Sequence, residues 1–82
     1  MNNPLQATCL GTIATVDLQN ELLTLKNADA AFFDFQIQQN TSIGLRKQKI
    51  KLEELANQTG KEAAVTFQTL RSGNVALKID VY

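Results

Sequence analysis

The chain has 82 residues, with eight basic and eight acidic side chains that cancel, no histidine, no tryptophan and one cysteine, Cys9. That length supports a single compact core without a cleft between domains. The charge balance removes the broad pull a basic domain exerts on nucleic acid or an anionic membrane, so any anion site has to be local. The residue counts exclude, within one chain, a disulfide framework, a zinc site of cysteines and histidines, and a Cys-His nucleophile pair, while Cys9 stays free to pair with another chain.

Residues 1–5, with Pro4 and two asparagines, carry no periodic signal and read as a flexible lead-in, leaving 6–82 as one domain. From Ala7 to Leu18, "ATCLGTIATVDL" is rich in threonine and β-branched residues and predicts a long strand. Its apolar positions change period: Ile13 and Val16 both face inward only if a bulge or bend lies between them, and Gly11 offers a second bending point. "DLQNELLTLK" predicts a hairpin that turns near Gln19 and Asn20 and returns with Leu23 and Leu25 inward. After the link "NADA", Phe33, Phe35 and Ile37 share one face and Asp34 and Gln36 the other, and Thr41 and Ile43 continue that alternation.

Past Gly44 the pattern becomes helical. "KLEELANQTG" puts Leu52, Leu55 and Ala56 on one side and supplies Gly60 as a left-handed terminator, giving about two turns at most. "EAAVTFQTL" and "VALKIDVY" are strands joined by the turn "RSGN", with Val75, Leu77, Ile79 and Val81 inward and Ala76 outward. The predicted core is Leu10, Ile13, Val16, Leu18, Leu23, Leu25, Phe33, Phe35, Ile37, Ile43, Leu52, Leu55, Val65, Phe67, Val75, Leu77, Ile79 and Val81. The order of elements predicts a mostly β protein: a five-stranded OB-like barrel with one short helix between strands three and four, its long first strand shared between two sheets.

These segments also resemble a family of small OB-like domains of unknown function found in bacterial exported proteins. The matching residues are "GTIATVD" (11–17), "LTLKN" (23–27), "FQIQQNTSI" (35–43), "IKLEEL" (50–55), "VTF" (65–67) and "NVALKIDV" (74–81). The stretch "ANQTGKEAA" departs from the family's shorter, glycine-aspartate-led entry to strand four. The resemblance implies the barrel and a periplasmic or secreted setting, and it transfers no activity. A more distant likeness is to periplasmic copper-binding efflux chaperones, whose metal sites need histidine, methionine and tryptophan. With no histidine or tryptophan and Met1 as the sole methionine, the expectation is the architecture without the metal, and no cofactor.

Catalytic residues are not predicted. Ser72 has no base beside it, and the acids Asp17, Glu21, Asp29 and Asp34 match no calcium loop and read as turn acids that accept local backbone bonds. The candidate contact residues are Arg46, Lys47, Lys49 and Lys51, half of all basic residues within "RKQKIK", together with Phe32. They would serve anion or single-stranded nucleic-acid binding. The competing expectation is a solvated loop balanced by Glu53 and Glu54, with Phe32 covering a barrel end. No apolar run approaches the roughly 20 residues that span a bilayer, and a chain complete as given would be cytoplasmic by default. The sequence therefore predicts a non-enzymatic binding or interaction module whose partner is a protein or cell-envelope component, with nucleic acid as the alternative.

Overall fold

In the computed structural model, which describes residues 5–82, seven strands follow one another as β1 (Gln6–Asp17), β2 (Leu22–Lys26), β3 (Phe32–Gln36), β4 (Ser42–Leu45), β5 (Gln48–Lys49), β6 (Glu62–Leu70) and β7 (Gly73–Val81). One helix, α1 (Leu52–Leu55), precedes β6 and runs on into a 3-10 turn over Ala56–Gln58. The lead-in expected over residues 1–5 falls, apart from exposed Leu5, outside the described residues.

Five strands make the ring expected of an OB-like barrel. They run in the order β3, β2, β1, β6, β7, and β7 closes on β3 through a parallel contact at Gln36 and Val75. The threonine-rich first strand serves two neighbours: Gln6–Thr12 pairs with β6 and Thr12–Asp17 with β2. Between them the register slips, with Ile13 facing Leu25 but Thr15 facing Thr24, so Ala14 is the extra residue. This is the bulge that the spacing of Ile13 and Val16 demanded; without it one of the two would turn to water.

The third predicted strand does not run through to Ile43. It ends at Gln36, turns over residues 38–40, and resumes as β4, which pairs in parallel with β7 from Ser42–Lys78 to Leu45–Val81. Thr41 makes the turn: its N–H donates to Gln38 O (3.0 Å), its hydroxyl accepts from Gln38 N (2.9 Å) and donates to Ala76 O (2.7 Å). Buried Ile43 follows buried Ile37 by an even step along the chain, which is why the alternation reads as unbroken. The short β4–β5 hairpin therefore sits between β3 and α1, a small displacement of the helix from its predicted place.

Ile13, Leu23, Leu25, Phe35, Ile37, Ile43, Leu55, Val65, Ile79 and Val81 fill the ring, and Val16, Leu52 and Phe67 pack against them. Leu55 brings α1 onto the core, and Gly60 ends the helical segment at φ 91°. Four predicted core residues are displaced. Leu10 lies on the wet face of β1, opposite Ala64, because Ile13 sets the inward positions at Gly11 and Cys9. Leu18 is exposed in the β1–β2 turn. Phe33 keeps the inward side opposite Leu25 but is exposed, because β3 meets β7 only at Gln36 and its earlier residues have an open edge. Leu77 is an extra residue at a second bulge, where Thr66 faces Lys78 and Phe67 faces Ala76; buried Ala76 takes its place, against the outward position predicted for it.

Two turns carry testable consequences. Asp17 Oδ1 accepts from the N–H groups of Gln19 and Asn20 (3.1 Å each), and Oδ2 accepts from Asn20 Nδ2 (2.8 Å). The Asn20 side chain, followed by its backbone N–H, holds this carboxyl below the ordinary 3.8. A depressed carboxylate stabilises the fold fully above the ordinary value, and that contribution is lost as the pH falls through the depressed one. Asp17→Ala should therefore lower stability at neutral pH and flatten its acid dependence below 3.8, read by urea denaturation at a series of pH values. An acid limb unchanged by the substitution would remove Asp17 from this role.

The β4–β5 turn consists of Arg46 and Lys47, both left-handed with φ 50° and 70°. Paired positive φ values are the two-residue hairpin geometry that favours Asn-Gly. Arg46→Asn with Lys47→Gly should stabilise the protein by about 1 kcal/mol, seen as a raised thermal midpoint.

Candidate functional site

One outward row crosses four of the ring's strand junctions. Phe32 pairs with Lys26, Lys26 with Thr12 and Thr12 with Glu62, and Tyr82 donates its N–H to Glu62 O (3.0 Å). Their chain neighbours Leu25, Ile13, Ala63 and Val81 are buried, so the five side chains share the wet face. Aromatic residues stand at both ends: Phe32 and Tyr82 are each 62% exposed. The Lys26 ammonium lies 6.0 Å from the centre of the Phe32 ring, at the limit of a cation–π contact. Leu10, 66% exposed, stands beside this row on β1. A surface depression between the two is lined by Leu10, Thr12, Lys26, Glu62 and Tyr82.

Tyr82 also borders a second depression, shared with Arg46, Lys47, Lys78 and Asp80. Of the predicted cationic residues, Arg46 and Lys47 are brought here at the tip of the β4–β5 hairpin. Lys49 on β5 and Lys51 before α1 are exposed and border neither depression, and the same holds for Phe32. Phe32 does not cap a barrel end; it lies on the outer face because its inward neighbour on β3 is Phe33, opposite Leu25. Nor do Glu53 and Glu54 balance the basic loop by contact. The one ion pair among the described residues is Lys78–Asp80 at 3.6 Å, which sets an anion inside the second depression.

The row contains Thr12, Lys26 and Glu62 and has Leu10 beside it, none of which the sequence marked as a contact. Outward parity was readable for Lys26 and Glu62 one strand at a time. Joining them needed the register of strands that are distant in sequence.

Of the four acids expected to accept local backbone bonds in turns, Asp17 alone does so. Asp17 accepts its turn amides, while Asp34 accepts from Thr24 Oγ1 (2.6 Å) on the neighbouring strand. In the β2–β3 link the side chain doing this is Asn27, whose Oδ1 accepts from the N–H groups of Asp29 and Ala31. Cys9 is half-buried against the core and burial pushes its thiol up. Among the described residues no three cysteine or carboxylate side chains come together as metal ligands would.

No protein-family model matches the chain, and no curated protein matches its sequence. Solved structures do match. The silver(I) form of CusF superposes with a TM-score of 0.71 at 20% identity, over 96% of this chain and 100% of that one. Apo-CusF from Escherichia coli gives 0.71 at 20% identity, over 98% and 90% of the two chains. A second silver(I) CusF from Escherichia coli gives 0.70 at 20% identity, over 96% and 94%. The two proteins share a fold. At that identity the likeness shows the fold alone.

Proposed function

We propose that the protein is a non-enzymatic interaction module of an exported bacterial protein, and that its partner is a protein or cell-envelope component bound on the outer row. The observation that carries this reading is the register of Phe32, Lys26, Thr12, Glu62 and Tyr82 across the ring, two exposed aromatic residues with one cation and one anion between them. Exposed aromatic groups are the usual anchors of protein contacts, whereas a polyanion would meet Glu62 in this row and Asp80 beside Lys78. The silver(I) of the CusF structures is not carried over to this reading, since Cys9 is the one soft donor among the described residues.

The test compares the protein with a Phe32→Ala, Tyr82→Ala variant for retention of envelope proteins, alongside titration with short single-stranded oligonucleotides at low and high salt. The variant should lose the retained partner while its stability stays within about 0.5 kcal/mol, as expected for surface positions. The oligonucleotides should not bind at low salt. Affinity that falls steeply with salt and with Lys47→Glu and Lys49→Glu would replace this reading with the nucleic-acid one.

A further inference from the structure

Among the described residues, the first half of β1 has a neighbour on one side only. Ile13 donates its N–H to Lys61 O (2.9 Å) and accepts from Gly60 N (2.8 Å), so at this point of the register the odd-numbered residue faces β6. Antiparallel ladders alternate, which assigns Gly11, Cys9 and Ala7 to the bonds with Ala63, Val65 and Phe67. The N–H and C=O groups of Gln6, Thr8 and Leu10 then point to the opposite side. There β2 joins β1 only from Thr12, opposite Lys26, and beyond Lys26 the chain turns away as Asn27 N bonds Ala31 O (2.9 Å). None of these three residues has another backbone partner among the described residues.

Proteins usually guard such an edge with lysine, proline or a bulge. Among the described residues nothing guards it: from Leu5 to Val16 the chain has no charged residue and no proline, and Leu5 and Leu10 are 91% and 66% exposed.

We propose that this edge pairs with the same edge of a second copy, antiparallel about Thr8, to make a two-fold dimer with one sheet running through both rings. The absence of charge selects a second copy, because identical strands can meet there without like-charge repulsion. The structure also selects the register. Thr12 is already taken by Lys26, so the partner's strand can reach as far as Leu10 and no further. Centring on Thr8 pairs Gln6 with the partner's Leu10, Thr8 with the partner's Thr8, and Leu10 with the partner's Gln6, which satisfies every free group named above. Cys9 then faces the partner's Ala7 in a non-hydrogen-bonded pair, close enough for a disulfide, while the two copies of Cys9 lie on a diagonal about 7–8 Å apart, beyond disulfide reach. The proposal uses the edge of β1 and does not depend on a partner at the outer row.

Sedimentation of the purified protein over a range of concentrations should show a reversible monomer–dimer equilibrium. Thr8→Pro removes an N–H that faces the open edge and leaves the ladder to β6 intact; Leu10→Lys places charge on the same edge. Each should give a monomer with an unchanged circular dichroism spectrum. In Ala7→Cys, diamide, which takes up the two thiol hydrogens as the sulfurs join, should produce a covalent dimer that the unaltered protein does not form. A protein that stays monomeric at every concentration would overturn the proposal, as would dimerisation untouched by both edge variants or a failure of Ala7→Cys to cross-link.

Discussion

Replacing Phe35 by alanine should leave the protein largely unfolded or close to it. Its side chain is fully buried at the centre of the ring, and its ring centroid lies 5.0 Å from that of Phe67, inclined at 59°. Deleting a buried phenylalanine ring costs about 3–5 kcal/mol, because lost transfer energy and an unfilled cavity add. A domain of this size has a total stability of roughly 4–12 kcal/mol, so one substitution removes much or all of it. Urea denaturation monitored by circular dichroism measures the loss. Phe33→Ala is the built-in comparison: same residue type, same strand, same side, yet exposed, and expected to cost no more than about 1 kcal/mol. Equal losses from the two would show that the core is not centred on Phe35.

The second large effect is expected at Gly11, for a steric reason. A Cβ at this position would stand 2.7 Å from the Lys26 carbonyl oxygen and 3.1 Å from its carbon, both backbone atoms paired into the ladder. It would also touch Leu25 Cβ at 3.4 Å. Gly11→Val raises strand propensity, which taken alone would stabilise an extended residue. The close approach should win: the branch forces β1 away from β2 next to the one residue, Thr12, that both neighbouring strands share, and overpacking of this kind costs about 1–3 kcal/mol. A Gly11→Val protein as stable as the original would mean that the two strands separate freely there.

The ring was legible in the sequence wherever one residue step means one change of face. Phe35 and Ile37, Leu23 and Leu25, and Ile79 and Val81 read correctly from alternation, and the mismatch between Ile13 and Val16 announced its bulge. The bulge at Leu77 gave no such notice. All of Val75, Leu77, Ile79 and Val81 are apolar, so the alternation looked perfect through a position where the pairing with β6 skips a residue. Ala76 is small enough to pass as an outward residue and small enough to sit under Phe67. Phe33 failed for another reason: its side of the sheet follows from parity, but whether anything covers that side depends on where the neighbouring strands stop, whereas Leu10 is out of phase with Ile13, which puts the inward positions at Gly11 and Cys9. For the candidate contacts, exposure of Arg46, Lys47, Lys49 and Lys51 was readable from charge. Their separation, with two at the hairpin tip and two elsewhere, depends on the β4–β5 turn, which "LRKQK" does not signal because neither turn residue is glycine or asparagine.

The pairing of β1 with β6, which sets Gln6 against Gln68, has a consequence in time. As the chain leaves the ribosome, β1 emerges ahead of its main partner β6, with β2 to β5 and α1 between them. Until β6 follows, Leu5 to Val16 has only the short hairpin with β2, so this uncharged stretch is without its principal hydrogen-bonding partner while the intervening elements are made. Contacts that close so late slow folding and lengthen the exposure of an unpaired strand. Moving the chain ends to the β4–β5 turn at Arg46 and Lys47, with the old termini linked, would bring β1 close behind β6 and β7 in sequence and should speed folding more than it changes stability.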